Sequence, residues 1–351
     1  MSGPRIVIGA GGTAGHVVPA LAVADALRAA GAEVHFVGGE RAEATLVPQA
    51  GYPLHPLRMV PLPRKQPMAA ARALGIDAQA VGGALRLVGE LRPAAVLGAG
   101  GYVAGPVSLA ALLRRIPLVL SEADSHLGLT NRILAPFAQR VCLAFPLPGR
   151  DGPRYRVTGR PVPAPYPDRE AARRHFGIGP EESCVLVFGG SQGARSINRA
   201  ALEAFAGAGF RVLHAAGERD LPDLRSPGPH YDLRGYIEPF SQALAAADLV
   251  VARSGGSIFE IAAAGRPSVL IPYPHATADH QTTNARYMAD AGAAVVLPDA
   301  ELSGPRLAQE VGQLLADPAR LATMGRAAAS LARPNAAADI AAEVLRAAHR
   351  S

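Results

Sequence analysis

With 351 residues, the chain is longer than one hydrophobic core usually organises, and two domains of about 150 to 200 residues each are expected. A composition of 49% hydrophobic and 18% charged residues excludes a mainly disordered chain, and two cysteines, Cys142 and Cys184, exclude a disulfide framework or a thiolate zinc site. The formal net charge is +6, yet Lys65 is the single lysine and follows Arg64, which excludes a Walker A loop and argues against a pyridoxal Schiff base.

Short β-branched runs alternate with Ala/Leu-rich helical patterns from end to end, the mark of parallel sheets built from βαβ units. Residues 5–9 read as a first strand, 15–30 as a helix and 33–37 as a second strand. The apolar run at 6–8 is far too short for a signal-peptide core, so a cytoplasmic chain is expected. Next, Met59, Val60, Leu62, Met68, Leu74 and Ile76 mix with Arg58, Arg64, Lys65 and Arg72, as in a surface that docks peripherally on anionic lipid; a loop leading into an ordinary core helix fits the same residues. Residues 94–113 carry no charge, but Gly98, Gly100, Gly101, Gly105 and Pro106 divide them into strand, glycine turn and helix rather than a membrane span. Strands follow at 118–120 and 141–143, then a proline-rich linker region at 149–180. A second series of strands is expected at 184–188, 211–214, 249–252 and 269–271, and 318–350 is nearly all helical pattern. The expected division is therefore 1–160, 161–335 and a C-terminal helix, 336–351, free to pack back on the first domain.

Charge is uneven: residues 1–157 hold 16 basic against 9 acidic side chains, and residues 158–351 hold 19 against 20. A cationic first half suits an anionic membrane surface or a phosphorylated substrate. Nucleic acid is not expected, because aromatics are 5% with no Trp and never interleave with basic residues.

Four strand ends run into small-residue turns: Gly9-Ala-Gly-Gly-Thr-Ala-Gly-His16, Gly98-Ala-Gly-Gly-Tyr-Val-Ala-Gly105, Gly189-Gly-Ser-Gln-Gly193 and Arg253-Ser-Gly-Gly-Ser257. In open α/β sheets such turns lie at the carboxyl ends of strands, where backbone N–H groups and helix N-termini collect anions. The first also satisfies a dinucleotide fingerprint, with Glu40 near the end of the second strand. The third imitates the nucleophile elbow of serine hydrolases, but no HGGG-type oxyanion segment precedes it.

The segments Gly11-Gly-Thr-Ala-Gly-His-Val-Val-Pro19, Gly98-Ala-Gly-Gly-Tyr-Val-Ala-Gly-Pro106, Gly128-Leu-Thr-Asn131, Gly189-Gly-Ser-Gln-Gly-Ala-Arg195, Arg253-Ser-Gly255 with Glu260-Ile-Ala-Ala-Ala-Gly265, and His280-Gln-x-x-Asn284 closely resemble the MurG family. The resemblance implies a glycosyltransferase-B fold, two Rossmann-like doubly wound α/β domains facing a cleft. It further implies inverting transfer of N-acetylglucosamine from UDP-N-acetylglucosamine to undecaprenyl-pyrophosphoryl-N-acetylmuramoyl-pentapeptide (lipid I), giving lipid II for peptidoglycan. Peripheral attachment at the cytoplasmic face of the cell membrane goes with that activity. A related B-fold transferase with another nucleotide-sugar or lipid acceptor, and a nucleotide-sugar-binding protein without turnover, stand as alternatives.

Chemistry and resemblance together assign roles. Ser191 and its turn offer a hydroxyl and N–H donors to the donor pyrophosphate. By resemblance, Glu260 is the ribose ligand, although an acid there also opposes the helix dipole. The same resemblance implies that backbone reads the uracil edge at Ile237 and that Gly256 lies in the donor turn. Gln281 and His280 face the sugar hydroxyls; Asn284 caps or buttresses its helix. In the first half, Thr13, Ala14 and Gly15 are expected at the donor sugar or the acceptor pyrophosphate. His16 is the candidate general base on the acceptor hydroxyl, since imidazole titrates near neutrality, although a helix-capping histidine would look the same. Glu122, a candidate catalytic carboxylate, and Asp124 form an E-x-D that read alone could bind a divalent metal. The B-fold resemblance requires neither metal nor cofactor, because helix dipoles and N–H groups can stabilise leaving UDP.

Three departures from the family pattern touch the site. Ser121-Glu-Ala-Asp124 replaces His-Glu-Gln-Asn, so a carboxylate stands in place of an amide at Asp124. Arg160-Pro-Val-Pro163 replaces Asn-Pro-Val-Arg, whose arginine reaches the donor phosphate in the family; either Arg160 takes its place from three residues earlier or that contact is lost. Ala14 replaces glycine and narrows the approach of a phosphate.

Overall fold

The computed structural model describes residues 3–57, 67–190 and 193–349, with backbone alone at 67–78 and 277. The chain divides into two compact units, unit 1 being Met1–Val162 with Arg333–Ser351 and unit 2 being Pro163–Ala332.

Unit 1 alternates strand and helix as β1 (Arg5–Gly9), α1 (Ala14–Ala29), β2 (Glu33–Gly38), α2 (Ala42–Gln49), β3 (Leu54–Pro56), α3 (Pro67–Leu91), β4 (Ala95–Gly98), α4 (Ala104–Leu113), β5 (Leu118–Glu122), α5 (Leu129–Leu134), β6 (Arg140–Leu143) and β7 (Tyr155–Val157). Unit 2 continues with α6 (Arg169–His175), β8 (Cys184–Phe188), α7 (Arg195–Ala204), β9 (Arg211–Ala215), β10 (Tyr231–Arg234), α8 (Phe240–Ala246), β11 (Leu249–Ala252), α9 (Ile258–Ala263), β12 (Ser268–Leu270), α10 (His280–Asp290), β13 (Ala294–Val296), α11 (Gly304–Leu315) and α12 (Pro318–Leu331). The last helix, α13 (Ala336–Ala348), returns to unit 1.

Every strand pair is parallel, with the order β3-β2-β1-β4-β5-β6-β7 in unit 1 and β10-β9-β8-β11-β12-β13 in unit 2. Parallel strands are covered on both faces, which is why Ile6, Val7 and Ile8, like residues 184–187, are unbroken apolar runs with no exposed surface. In unit 1 one face is packed by α1 and α13, through Val17, Ala20, Leu27, Ile340 and Val344, and the other by α3 and α4, through Val88, Val107 and Ala110. The strand order reverses between β1 and β4 in unit 1, and between β8 and β11 in unit 2. Ligands of open α/β sheets bind beyond the carboxyl ends at such switch points, and all four glycine turns lie there.

Helix α1 starts at Ala14, one residue before its expected start, because Thr13 takes the extended conformation of a helix-leading residue. The strands β3, β7, β10 and β13 are short and were not expected. Residues 94–113 are indeed strand, turn and helix, and among the described residues no helix is long and apolar enough to cross a membrane.

Candidate functional site

In unit 1, the turn after β1 delivers Thr13, Ala14 and Gly15, all exposed, and then half-buried His16 into the first turn of α1. No side chain caps that helix; the Thr13 hydroxyl lies instead 3.2 Å from Nδ1 of His16. The turn after β4 packs closely against this segment. A methyl on Gly101 would lie 1.9 Å from the Gly11 carbonyl oxygen, so only glycine fits, and its φ of +76° asks for glycine as well. The Arg160 guanidinium donates to the Gly15 carbonyl at 2.6 Å. Gly15, His16, Ser121, Glu122 and Arg160 line one hollow.

Burial pushes the His16 imidazole below its ordinary value; Asp124 pulls it up and Arg160 pushes it down further. A depressed imidazole is neutral near pH 7 and can accept a proton. Where Nδ1–H donates to the Thr13 oxygen, Nε2 carries the free lone pair.

Glu122 ends β5 and is buried, with both oxygens engaged. Oε1 accepts from the Asp124 N–H at 3.1 Å, and Oε2 accepts from the Gly128 N–H at 2.8 Å and from Nδ2 of Asn131 at 2.9 Å. Burial raises its pKa, against the opposing pull of those donors. Such a carboxylate organises the loop that carries Asp124. Among the described residues no group of three or more His, Cys, Asp or Glu is placed to hold a metal ion.

In unit 2, the turn after β8 is closed by the Gly193 N–H donating to Gly190 at 2.9 Å. A methyl on Gly193 would meet the Ala216 carbonyl at 2.1 Å. Ser191 lies outside the described residues. After β11, Arg253 turns inward and ties three segments together. It donates to the carbonyls of Ile271 and Pro272 and to Ser196 Oγ, and pairs with Asp299 at 2.6 Å. Gly256 lies in the same turn, its carbonyl accepting from the Phe259 N–H.

Glu260, in α9, lines a second hollow with Phe240, Ser241 and Leu244 of α8. Ile237, three residues before α8, is 1% exposed, which leaves backbone as the part able to read a base. His280 and Gln281 open α10 directly after Ala278 and Asp279, two non-glycine residues with φ of +53° and +52°. Paired left-handed residues of this kind are strained and concentrate at ligand-binding segments. Gln281 Oε1 accepts from the Tyr273 N–H at 3.0 Å, so its amide N–H groups are the half left to donate. Asn284 buttresses rather than caps: its Nδ2 donates to the Ser254 carbonyl at 2.9 Å.

Thus Thr13, Ala14, Gly15, His16, Glu122, Asp124 and Arg160 gather at one edge of unit 1, while Ile237 and Gly256 on loops, Glu260 in α9, and His280 and Gln281 in the first turn of α10 lie in unit 2. Sequence reasoning missed the anchoring role of Arg253. It also missed an exposed apolar patch on unit 1, where Leu109 and Leu113 of α4 and Leu129, Ile133 and Phe137 in and after α5 are 37% to 68% exposed.

Residues 6–143 match the glycosyltransferase family 28 N-terminal domain and residues 184–343 its C-terminal domain. The chain is 45% identical, over 95% of its length and 96% of the relative's, to a Moorella thermoacetica protein named UDP-N-acetylglucosamine--N-acetylmuramyl-(pentapeptide) pyrophosphoryl-undecaprenol N-acetylglucosamine transferase. A Pseudomonas putida protein of the same name is 40% identical over 99% of both chains. The chain belongs to the MurG family. Among solved structures, Acinetobacter baumannii MurG superposes with a TM-score of 0.78 at 28% identity, covering 97% of this chain and 99% of that one. The calicheamicin glycosyltransferase CalG4, with a TM-score of 0.72 at 22% identity over 100% and 99% of the two chains, shares the fold alone. The two parallel-sheet units of this MurG-family chain are accordingly the two domains of a B-type glycosyltransferase fold.

Proposed function

We propose that the chain transfers N-acetylglucosamine from UDP-N-acetylglucosamine to lipid I with inversion, forming lipid II. The observation that carries this reading is near-full-length identity of 45% to a transferase whose name states the sugar and the acceptor. The chemistry of the two edges supports it. His16, neutral because burial lowers its pKa and oriented through Nδ1 by Thr13, takes the proton of the acceptor hydroxyl at Nε2. The freed oxygen attacks the anomeric carbon; a new C–O bond forms as the bond to UDP breaks, and the electron pair leaves on the β-phosphate oxygen. Backbone N–H groups of the turn at 189–193, the Ser191 hydroxyl and the N-terminus of α7 receive that charge without a metal ion or cofactor.

On the donor, Glu260 accepts from the ribose hydroxyls, the Ile237 backbone and the Gly256 turn hold the nucleoside, and Gln281 donates to the sugar with His280 beside it. On the acceptor, Ala14 and Gly15 offer first-turn N–H groups of α1 to the pyrophosphate, and Arg160 adds positive charge next to them. Asp124 accepts from a sugar hydroxyl where the family has an amide. Glu122 serves by holding the Asp124 loop.

The acceptor is a lipid, and the membrane contact is assigned to the exposed patch of Leu109, Leu113, Leu129, Ile133 and Phe137, flanked by exposed Arg114, Arg115 and Arg132. Exposed apolar side chains with exposed arginines next to them in the chain suit peripheral docking on the anionic cytoplasmic leaflet. The docking segment expected at 59–76 falls at 59–66 outside the described residues and at 67–76 on backbone alone.

The deciding experiment measures UDP release with a short-chain lipid I analogue, with and without EDTA, and with UDP-N-acetylgalactosamine as a second donor. Turnover that requires the acceptor, survives EDTA and prefers the gluco donor is expected. Absence of turnover, or preference for the galacto epimer, would overturn the substrate assignment.

A further inference from the structure

Glu43, in α2, belongs to no motif, yet it is fully buried at the carboxyl edge of unit 1. Its Oε2 accepts from the Gly12 N–H at 2.9 Å and its Oε1 from the Gly39 N–H at 2.8 Å. Those amides belong to different loops, one following β1 and the other following β2. The glycines around it have no room for a side chain: a methyl on Gly11 would lie 2.7 Å from Oε1, one on Gly39 2.9 Å from Oε1, and one on Gly38 2.8 Å from Cγ. Tyr102 closes the other side, its hydroxyl 2.8 Å from that Gly39 methyl and its ring 3.6 Å from one on Gly12. Two loop backbones are therefore wrapped around one carboxylate. An ionised carboxylate accepts on both oxygens, whereas an amide of the same shape accepts on one and donates from the other.

We propose that Glu43 is a positioning residue for transfer: by fixing Gly11 and Gly12 it sets where the next residue, Thr13, meets His16 at the start of α1. The inference rests on the transferase reading above for its kinetic consequence, though not for its geometric one. It also explains why an acid is tolerated in a fully buried place: both oxygens accept backbone N–H donors.

The test compares Glu43→Gln and Gly39→Ala with the unsubstituted protein. The first removes one acceptor, and the second pushes the carboxyl group aside without replacing it, so a folding failure of one leaves the other to decide. Acceptor kcat/KM is expected to fall about 10-fold to 100-fold in each, while the KM for UDP-N-acetylglucosamine stays within roughly twofold. The His16 ring resonances in NMR spectra of the isotope-labelled full chain should move in both variants. Unchanged acceptor kinetics with unchanged His16 resonances would overturn the proposal. So would equal loss at donor and acceptor with a collapsed melting transition, which is the signature of a purely structural group. If the unsubstituted protein shows no turnover with the lipid I analogue, the transferase reading fails on its own, and the His16 resonances still decide whether Glu43 positions the turn.

Discussion

Substituting Glu122→Gln separates a loop-organising carboxylate from one that moves protons. The amide keeps the volume but accepts on a single oxygen. With that oxygen placed between the Gly128 N–H at 2.8 Å and Asn131 Nδ2 at 2.9 Å, the new NH2 faces the Asp124 N–H at 3.1 Å. Flipped, it faces two donors instead of one. At least one donor, part-buried in the case of the Asp124 N–H, thus loses its acceptor, a cost of about 1 to 3 kcal/mol. Burial raises the pKa of Glu122, so a neutral side chain recovers part of the desolvation cost, and the net penalty on the Asp124 loop is about 1 to 2 kcal/mol. Expressed in acceptor kcat/KM, that is a loss of about 5-fold to 30-fold. A general acid or base at this position would instead cost about 100-fold to 10,000-fold and remove one limb of the pH profile. Steady-state kinetics with a short-chain lipid I analogue, from about pH 5 to pH 9, distinguish the two outcomes. A loss beyond 100-fold with a missing limb would refute the positioning role derived from the three hydrogen bonds.

The other predictions concern protonation, the C-terminal helix and the membrane. Because burial depresses His16, kcat/KM should hold below the usual imidazole range and fall only as pH drops through the lowered value; Asp124→Asn should shift that acid limb further down and Arg160→Gln should shift it up, and a limb that ignores both would refute the base assignment. Glu343 of α13 is 3% exposed and pairs with Arg140, Arg156 and Arg346, so Glu343→Ala should cost about 2 kcal/mol, less than a fully buried pair because Arg156 and Arg346 are 42% and 51% exposed. Hydrogen exchange of α13 should then quicken about 30-fold without change in peptides of unit 2. Burial pushes the Glu343 carboxyl up, but Arg156 and Arg140 outweigh it and hold the pKa low, so its contribution is present above the ordinary carboxylate range and lost as pH falls through the lowered value; exchange that is already fast at neutral pH would contradict this. Finally, Phe137→Asp should weaken sedimentation with anionic vesicles about 30-fold, from some 2 kcal/mol of lost apolar burial, and leave turnover of a water-soluble acceptor intact.

What could be read from the sequence follows from which interactions are local. Central parallel strands are buried on both faces, so Ile6-Val7-Ile8 and the run at 184–188 stand out as apolar blocks, whereas β3, Leu54-His55-Pro56, is an edge strand three residues long with no such block. The glycine turns were visible because a close backbone approach, as of Gly101 to the Gly11 carbonyl, admits only glycine and therefore marks itself in the chain. The exposed patch was not, because Leu129, Ile133 and Phe137 are spaced four apart, like any core-facing helical stripe, and only the fold decides whether such a face is covered.

Carboxylates are the hardest to read, since their role depends on what surrounds each oxygen. Glu122 and Asp124 look like a metal-binding pair in sequence, yet both Glu122 oxygens are occupied by N–H groups from residues up to nine positions away. Glu43 carries no pattern at all, and its partners Gly12 and Gly39 come from loops that only the β1–β2 pairing brings together. Each acid binds the turn that bears a group proposed to serve the acceptor, Thr13 and His16 in one case and Asp124 in the other. Two buried carboxylates placed behind the edge that carries the proposed base and the proposed sugar-binding group, rather than at it, thus account for how glycine-rich loops can hold those groups in fixed register.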